Sequence, residues 1–591
     1  MKKLFFIICI IFSNSISQAI DQKVVTITAG ELANALTGFS ATITDLTIIG
    51  TIDARDFKTM RDNLPLISII NISNSKIAEY TGLEGTVPND ILYPANTIPQ
   101  YAFRNPTSNK SLTSLKTLHF PTTISSIGNN AFHQCTGLSG NLQLPTSLIL
   151  IGDNAFSYCN KLNGSLIIPS NVSSIGYFAF YSCSGFSGSL SLPSSVLSIG
   201  ERAFEGCANI TGLNLSTTLN YCGNGAFRYC SNLTGIVTIP SSLIAISDFT
   251  FQNCSKITQI NLPPTLISIG DYAFSDCTSL SGVLEMPNSL ISIGSHAFTN
   301  CKKLIGDLTI PPNITTIKNN AFEGCIGFNG KLTIPPSLTF IDNYVFSKCS
   351  GLNGELLLSS SVTSIGNGSF TECSNLSGDL ILPNSIQSIG QDAFSFCTQL
   401  SGSLTLPNSL TTIGRYAFYN CNGFTGKLTI PSSVTFIGDY AFNGSSTSSP
   451  RFSSVYTYAI IPPDISSSPN AFTTGIKKSG VLFVPSGTIQ KYSVALEWRY
   501  FWDIREMSTT SLNQKIAESI SIYPNPIREG FYVNGINDTA NISIVDYNGK
   551  IIVNRQIFEK EYIPTSNLKS GCYLISITTK DSKVNMKIII E

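Results

Sequence analysis

The feature that most constrains this chain is a short motif, Phe-x-x-Cys, that returns thirteen times with almost no drift. Its cysteines are Cys135, Cys159, Cys183, Cys207, Cys230, Cys254, Cys277, Cys301, Cys325, Cys349, Cys373, Cys397 and Cys421, spaced by 24 residues except for two steps of 23. A Phe precedes each by three residues, and Phe442 continues the series after the Cys is lost. Around them the unit reads A-F-x-x-C-x-x-L-x-G-x-L-x-L/I-P-x-S-L/V-x-x-I-G. A fixed period of this length predicts a solenoid. One unit has too few apolar positions to close a core and buries them only by stacking on its neighbours.

Leu404-Thr405-Leu406 and its equivalents alternate with the period of two expected of a strand. Pro407, with no N–H to donate, ends that strand. Ile413-Gly414 and Ala417-Phe418 are expected to carry the chain round the far side of the coil. The units at Leu213-Asn214-Leu215 and Ile260-Asn261-Leu262 lack one residue before the strand, which predicts a local bend.

Composition narrows the function classes. Only 12% of residues are charged against 42% hydrophobic, and Lys+Arg and Asp+Glu total 36 each. No basic block is present, so nucleic acid and anionic lipid are not expected partners. At the N-terminus, Lys2 and Lys3 precede the apolar run Leu4–Phe12 and then Ser17-Gln18-Ala19. That order predicts a signal peptide, residues 1–19, cut after Ala19. Nine apolar residues are too few to cross a core of roughly 30 Å, and no transmembrane segment is expected elsewhere.

Sixteen cysteines in an exported chain raise the question of disulfides. Adjacent coils bring equivalent positions to about 5 Å, within bridging range. The ladder is odd-numbered and every member occupies the same inward position beside a Phe, so buried free thiols acting as small hydrophobes are expected. Cys222 stands where the unit normally has Ile, and a bridge to Cys230 in the same coil is not expected. The chain has no Cys-x-x-Cys pair and three histidines, His119, His133 and His296, so no metal site or other cofactor is predicted. Asp153, Glu201, Asp271 and Asp439 follow Ile-Gly as single carboxylates and read as solvated turn residues. With no Gly-x-Ser-x-Gly elbow and no distinctive His, no catalytic residue is assigned and an enzyme is not expected.

The residue between the two inward positions of each strand faces out. It runs Gln143, Ile167, Ser191, Asn214, Thr238, Asn261, Glu285, Thr309, Thr333, Leu357, Ile381, Thr405, Thr429. This row is small and weakly charged, and Thr309, Thr333, Leu357, Ile381 and Thr405 are its candidate partner-binding stretch. β-Branched and polar residues also suit any exposed strand.

The stretch Leu404-Thr405-Leu406-Pro407-Asn408-Ser409-Leu410-Thr411-Thr412-Ile413-Gly414-Arg415-Tyr416-Ala417-Phe418-Tyr419-Asn420-Cys421 resembles the BspA-like leucine-rich repeat, and the resemblance covers residues 101–445. Upstream, Ile49–Phe57, Leu64-Pro65-Leu66 and Asn96–Phe103 look like that family's N-terminal cap, placed at 20–100. Ala471-Phe472 and Val481-Leu482-Phe483-Val484-Pro485 read as degenerate coils, and Tyr492, Trp498, Tyr500, Phe501 and Trp502 as a C-terminal cap, within 446–507. A polar linker follows at 508–518. Residues 519–591 carry short alternating runs separated by turn signals, as in a small β-sandwich. There Tyr523-Pro524-Asn525-Pro526, Asp546 with Gly549-Lys550, Gly571 with Tyr573, and Lys587 resemble the type A C-terminal sorting domain of type IX secretion. Cys572 departs from the aliphatic residue usual there.

The expected fold is thus an all-β and irregular leucine-rich-repeat solenoid of 24-residue coils followed by a small β-sandwich. The resemblances imply a monomer secreted to the outer surface of a Gram-negative bacterium by the type IX machinery, with domain removal and glycolipid anchoring to follow. They also imply an adhesin for an extracellular protein or glycan. The alternative is a structural or scaffold component of the surface with no specific ligand.

Overall fold

The computed structural model describes residues 21–444, 452–465, 467–507, 521–523, 527–536, 539–546, 550–558, 560–579 and 583–590. The expected signal peptide at 1–19 and the expected linker at 508–518 lie outside the described residues. The chain divides into two compact units, Met1–Pro263 and Pro264–Glu591.

The first unit opens on a parallel sheet in which Gln22–Ile27, Asp45–Ile52, Ile69–Ile77 and Thr117–His119 pair in that order. The helix Ala54–Asn63 follows the second strand. Asp53 caps it by accepting from the Arg55 N–H at 2.9 Å, and the Asp56 carboxylate accepts from the Asp53 N–H at 2.9 Å. The helix turns Phe57 into the core, where it meets Phe103 edge-on at 6.0 Å. Phe103 in turn stacks on Phe132 at 5.1 Å, so this helix supplies the wall on which the repeats begin.

From there Phe132, Phe156, Phe180, Phe204, Phe227 and Phe251 stack with ring centroids 5.0–5.6 Å apart. That separation is close to the ~4.8 Å strand spacing, so one ring per coil is what a parallel stack can carry. None of the fourteen ladder-region cysteines, Cys222 included, forms a disulfide, and all are buried. They do more than fill space. Cys159 donates through Sγ to the carbonyl of Phe132 at 3.1 Å, Cys183 to Phe156 at 3.0 Å and Cys207 to Phe180 at 3.2 Å. Each thiol therefore ties its coil to the Phe of the coil before it.

The Ile-Gly side departs from the sequence-based expectation. It was expected to be connecting backbone, yet in this unit it forms the longer sheet. Thr97–Ile98, Ser126–Ile127, Leu150–Ile151, Ser174–Ile175, Ser198–Ile199 and Tyr221–Cys222 make six parallel strands of two residues. The glycines explain it. A Cβ on Gly152 would lie 2.8 Å from the Ile127 carbonyl oxygen, and one on Gly176 2.6 Å from the Asp153 nitrogen, so only Gly lets the coils close here. The Leu-x-Leu side is broken into two-stranded pieces, among them Gly188–Ser191 with Ile210–Asn214 and Gly235–Thr238 with Ile257–Asn261. The pairings at the two shortened units carry a register shift, but so does Gly402/Leu404 in a full-length unit, so the shift is not specific to the missing residue.

The Ala-Phe corner forms a third ladder. Asn130, Phe132 and Gln134 donate from their backbone nitrogens to Asp153, Ala155 and Ser157 at 2.7–2.8 Å. Residues such as Tyr158 (φ +63°) and Phe178 (φ +55°) take the left-handed region to do so. That conformation is costly for a bulky residue and persists because the hydrogen bonds on either side over-determine it.

The second unit repeats this construction. Phe274 to Phe442 stack at 5.3–6.0 Å, and Phe442 passes the column to Phe472 at 5.5 Å. The column ends on Trp498 and Phe501, 5.3 and 5.6 Å from Phe472. Trp498 donates through its indole nitrogen to the Pro463 carbonyl at 2.9 Å, and the Tyr492 hydroxyl donates to Ala459 at 2.7 Å. Of the aromatic cluster read as a cap, Tyr492, Trp498 and Phe501 are buried while Tyr500 and Trp502 are exposed. Here the Leu-x-Leu side grows into a six-stranded parallel sheet: Gly378–Asp379, Leu400–Thr405, Phe424–Ile430, Ser454–Thr457, Val481–Val484 and Asp503–Glu506.

Residues beyond 520 fold as two antiparallel sheets. One holds Ser521–Tyr523, Gly530–Asn534 and Tyr562–Pro564; the other holds Ile551–Phe558, Thr539–Val545, Gly571–Thr578 and Lys583–Ile590. Both contribute to one core, built from Phe531, Val533, Ile542, Ile544, Ile563, Ile575, Ile577 and Ile588 among others. The alternation seen in the sequence sends these residues to a single inner face, as a sandwich requires.

Candidate binding surface

In the second unit the outward row stands on strands whose inward neighbours, Leu332, Leu356 and Leu380, are buried. Thr309 pairs with Thr333, Thr333 bridges Leu357, and Leu357 bridges Ile381. Leu357 and Ile381 are 60% and 66% exposed, so two large apolar side chains lie side by side in water. Thr405, also exposed, pairs with Thr429. Beside this row runs an exposed column of Lys331, Glu355, Asp379, Ser403 and Lys427. Mixed charges flank an uncharged strip.

The strip is longer than the sequence suggested. Thr429 pairs with Tyr456, Tyr456 with Phe483, and Phe483 with Arg505. The Tyr456 and Phe483 rings stack at 4.5 Å, and Lys427 Nζ stands 5.3 Å from the Tyr456 centroid. These residues were missed because the 24-residue period lapses after Phe442. The usable signal was local: Phe483 sits between inward Leu482 and Val484 with Pro485 after them, as Thr405 sits before Pro407.

In the first unit the same face opens a cleft of about 400 Å³ at the junction of the leading sheet and the repeats. Asn71, His119 and Gln143 stand on its rim, and Phe132, Leu138, Phe156 and Leu162 form its floor. It opens because Leu142 and Leu144 are only half-buried there, whereas their counterparts one coil later, Leu166 and Ile168, are 3% and 5% exposed.

The reactive groups sit in unreactive settings. Burial pushes the Cys183 and Cys325 thiols up to about 12, far from the thiolate range needed of a nucleophile. Burial, helped by Arg104, holds the His133 imidazole down at about 4. His296 is stacked on Tyr272 at 4.5 Å. Burial raises the Glu205 carboxyl while Arg202 and Arg228 oppose it. Among the described residues no three His, Cys, Asp or Glu side chains gather as a metal site would need.

In the C-terminal domain, Tyr523 ends the first strand and stacks on Tyr532 at 5.4 Å. Asp546 and Lys550 bond to each other. The Lys550 N–H donates to the Asp546 carboxylate at 2.9 Å, and the Asp546 N–H donates to the Lys550 carbonyl at 3.0 Å. Gly571 begins the strand on which Tyr573 donates through its hydroxyl to the Lys569 carbonyl at 2.9 Å. Lys587 lies on the last strand opposite Leu574. Pro524, Asn525, Pro526 and Gly549 lie outside the described residues.

Three inter-coil ladders around a Phe column, together with an antiparallel domain, define a parallel β-solenoid protein with an appended antiparallel β domain. Residues 96–234, 164–281, 234–353, 268–401 and 363–459 match the BspA type Leucine rich repeat region, and the chain belongs to that family. Residues 521–591 match the Secretion system C-terminal sorting domain. This places the protein at the cell surface or outside, delivered by type IX secretion. No helix among the described residues is long and apolar enough to cross a membrane. A leucine-rich repeat protein from Bacteroides ovatus is 27% identical, covering 62% of this chain and 88% of its own, with a TM-score of 0.50. A leucine rich cell surface protein from Faecalibacterium prausnitzii is 23% identical over 65% of this chain and 88% of its own, with a TM-score of 0.32. Among curated proteins, an ulvan lyase of Nonlabens ulvanivorans is 28% identical over 106 residues. That match covers 17% of this chain and about a fifth of the relative's length, 20%.

Proposed function

We propose that this protein is a non-catalytic adhesin that binds an extracellular protein or glycan through the outward strand row at Thr309, Thr333, Leu357, Ile381 and Thr405. The observation that carries this reading is the adjacent exposed pair Leu357 and Ile381, set in an uncharged strip with charges only along its edge. Repeat proteins commonly bind through such continuous faces, and an apolar centre with a polar rim is the usual anatomy of a protein interface. In this reading the sorting domain is removed at the linker after export, and the monomeric solenoid, residues 20–507, stays on surface glycolipid.

The test is capture of host and matrix components by the wild-type chain and by Leu357→Lys/Ile381→Lys. Both side chains are exposed, so stability should change by less than about 0.5 kcal/mol per site. Affinity for the captured partner should fall at least tenfold. Undiminished binding by the variant would remove this face from consideration.

A further inference from the structure

The Ile-Gly sheet of the second unit carries a feature unrelated to that row. Phe340–Ile341, Ser364–Ile365, Ser388–Ile389, Thr412–Ile413 and Phe436–Ile437 pair in parallel, each in register with the next. The outward residue of each strand is therefore Phe, Ser, Ser, Thr, Phe. Phe340 and Phe436 are 38% and 37% exposed and stand up at either end, while the three hydroxyl residues between them are small. The result is a trough of about 530 Å³. It spans four strand spacings, roughly 19 Å from ring to ring.

Gly366, Gly390 and Gly414 lower the floor, and Asn343, Asn367 and Gln391 line the trough beyond them. The Asn343 side-chain oxygen accepts from the Asn367 N–H, and that of Asn367 accepts from the Gln391 N–H, each at 2.8 Å. Engaging the oxygens fixes both amide planes and leaves their NH2 groups to donate to a ligand. The lining thus offers hydroxyls and amides along its length, a ring at each end, and a single charged residue, Asp342, at the Phe340 end.

We infer that this trough is a second binding site, one that holds a short stretch of neutral oligosaccharide. Aromatic faces pack against the C–H faces of sugar rings, and uncharged donors and acceptors in a row match successive ring hydroxyls. Along the three central coils the lining itself carries no charge, which fits a neutral chain; exposed Arg415, which continues the Asn343, Asn367 and Gln391 row in the last of these coils, lies outside that lining. An extended peptide is less suited. The Ser364, Ser388 and Thr412 strands are paired on both sides, so no free edge can accept an added strand. The site is independent of the Leu357 and Ile381 row, and each can fail without the other.

The experiment is a glycan array of neutral and acidic chains, with a peptide array in parallel, probed with the full chain. The variants are Phe340→Ala/Phe436→Ala, which removes the end walls, Ser388→Trp, which fills the floor, and Leu357→Lys/Ile381→Lys. Neutral glycans should bind wild type and the last variant alike, and bind the first two at least tenfold more weakly. Binding to acidic glycans or peptides alone, no glycan binding, or binding that survives removal of both Phe rings overturns the assignment. If Ser388→Trp fails to fold, the exposed Phe pair decides the question.

Discussion

Within the coils of each unit a strand pairs in parallel with a copy of itself, whereas beyond residue 520 unlike strands pair in antiparallel fashion. The cores differ accordingly. In the coils, like residues form columns: Phe on Phe, and thiol to the carbonyl one coil back. In the C-terminal domain, Ile, Val and Phe from both sheets converge on one cluster. A column is stabilised by nearest neighbours and can be interrupted locally; a convergent core is gained or lost as a whole.

The sharpest division should be functional. Deleting residues 521–591 should abolish surface recovery of the chain, read by protease accessibility on intact cells, while leaving its circular dichroism spectrum that of a folded solenoid. Loss of the folded signal would show that the two parts depend on one another.

Next in size is Phe346→Ala. It removes one ring from a column with neighbours at 6.0 and 5.5 Å and should cost about 3–5 kcal/mol. Calorimetry should show the solenoid transition splitting, with the remaining coils melting near their original temperature. Ile544→Ala in the convergent core should instead lower one transition intact, at a cost of about 2–5 kcal/mol.

Alkaline pH separates the two cores without mutation. Burial raises thiols such as Cys183 and Cys373 from 9.0 to about 12. Between those values the unfolded chain releases protons that the folded chain retains, so stability must fall as pH rises. The solenoid transition should therefore weaken steeply from about pH 9 toward pH 12. The C-terminal domain, with Cys572 as its one cysteine, should be far less affected. Parallel decline of both transitions would deny the thiol ladder this role.

The smallest effect is that of a single tie. Cys349→Ala removes the thiol that donates to the Phe322 carbonyl at 3.1 Å, leaving that carbonyl the Cys325 N–H at 3.2 Å, and Ser385→Ala leaves the Val362 carbonyl without the hydroxyl that donates to it at 2.6 Å. Each should cost about 1–2 kcal/mol by chemical denaturation.

Much of this was readable in advance. The period announced the solenoid, the inward positions of the unit are the buried ones, and four short motifs announced the sorting domain. The outward row lies on an exposed strand face, as its alternation predicts, but Tyr456 and Phe483, which extend it, escaped, because their coils are 27 residues long and leave the period. The second sheet escaped too. A two-residue strand has no periodicity to detect, and its existence rests on how closely Gly lets one coil approach another.

The sequence by itself determined what repeats: which residues face inward, that many coils must stack to bury them, and that residues 521–591 are addressed to export. Only the tertiary structure decided what the repetition makes available. Residues 24 apart become neighbours across a strand spacing, so Leu357 meets Ile381 and two Phe residues 96 positions apart come to bracket one trough. In a stack, chemistry along the surface is written across coils, at right angles to the chain, and it exists only once the coils are in register.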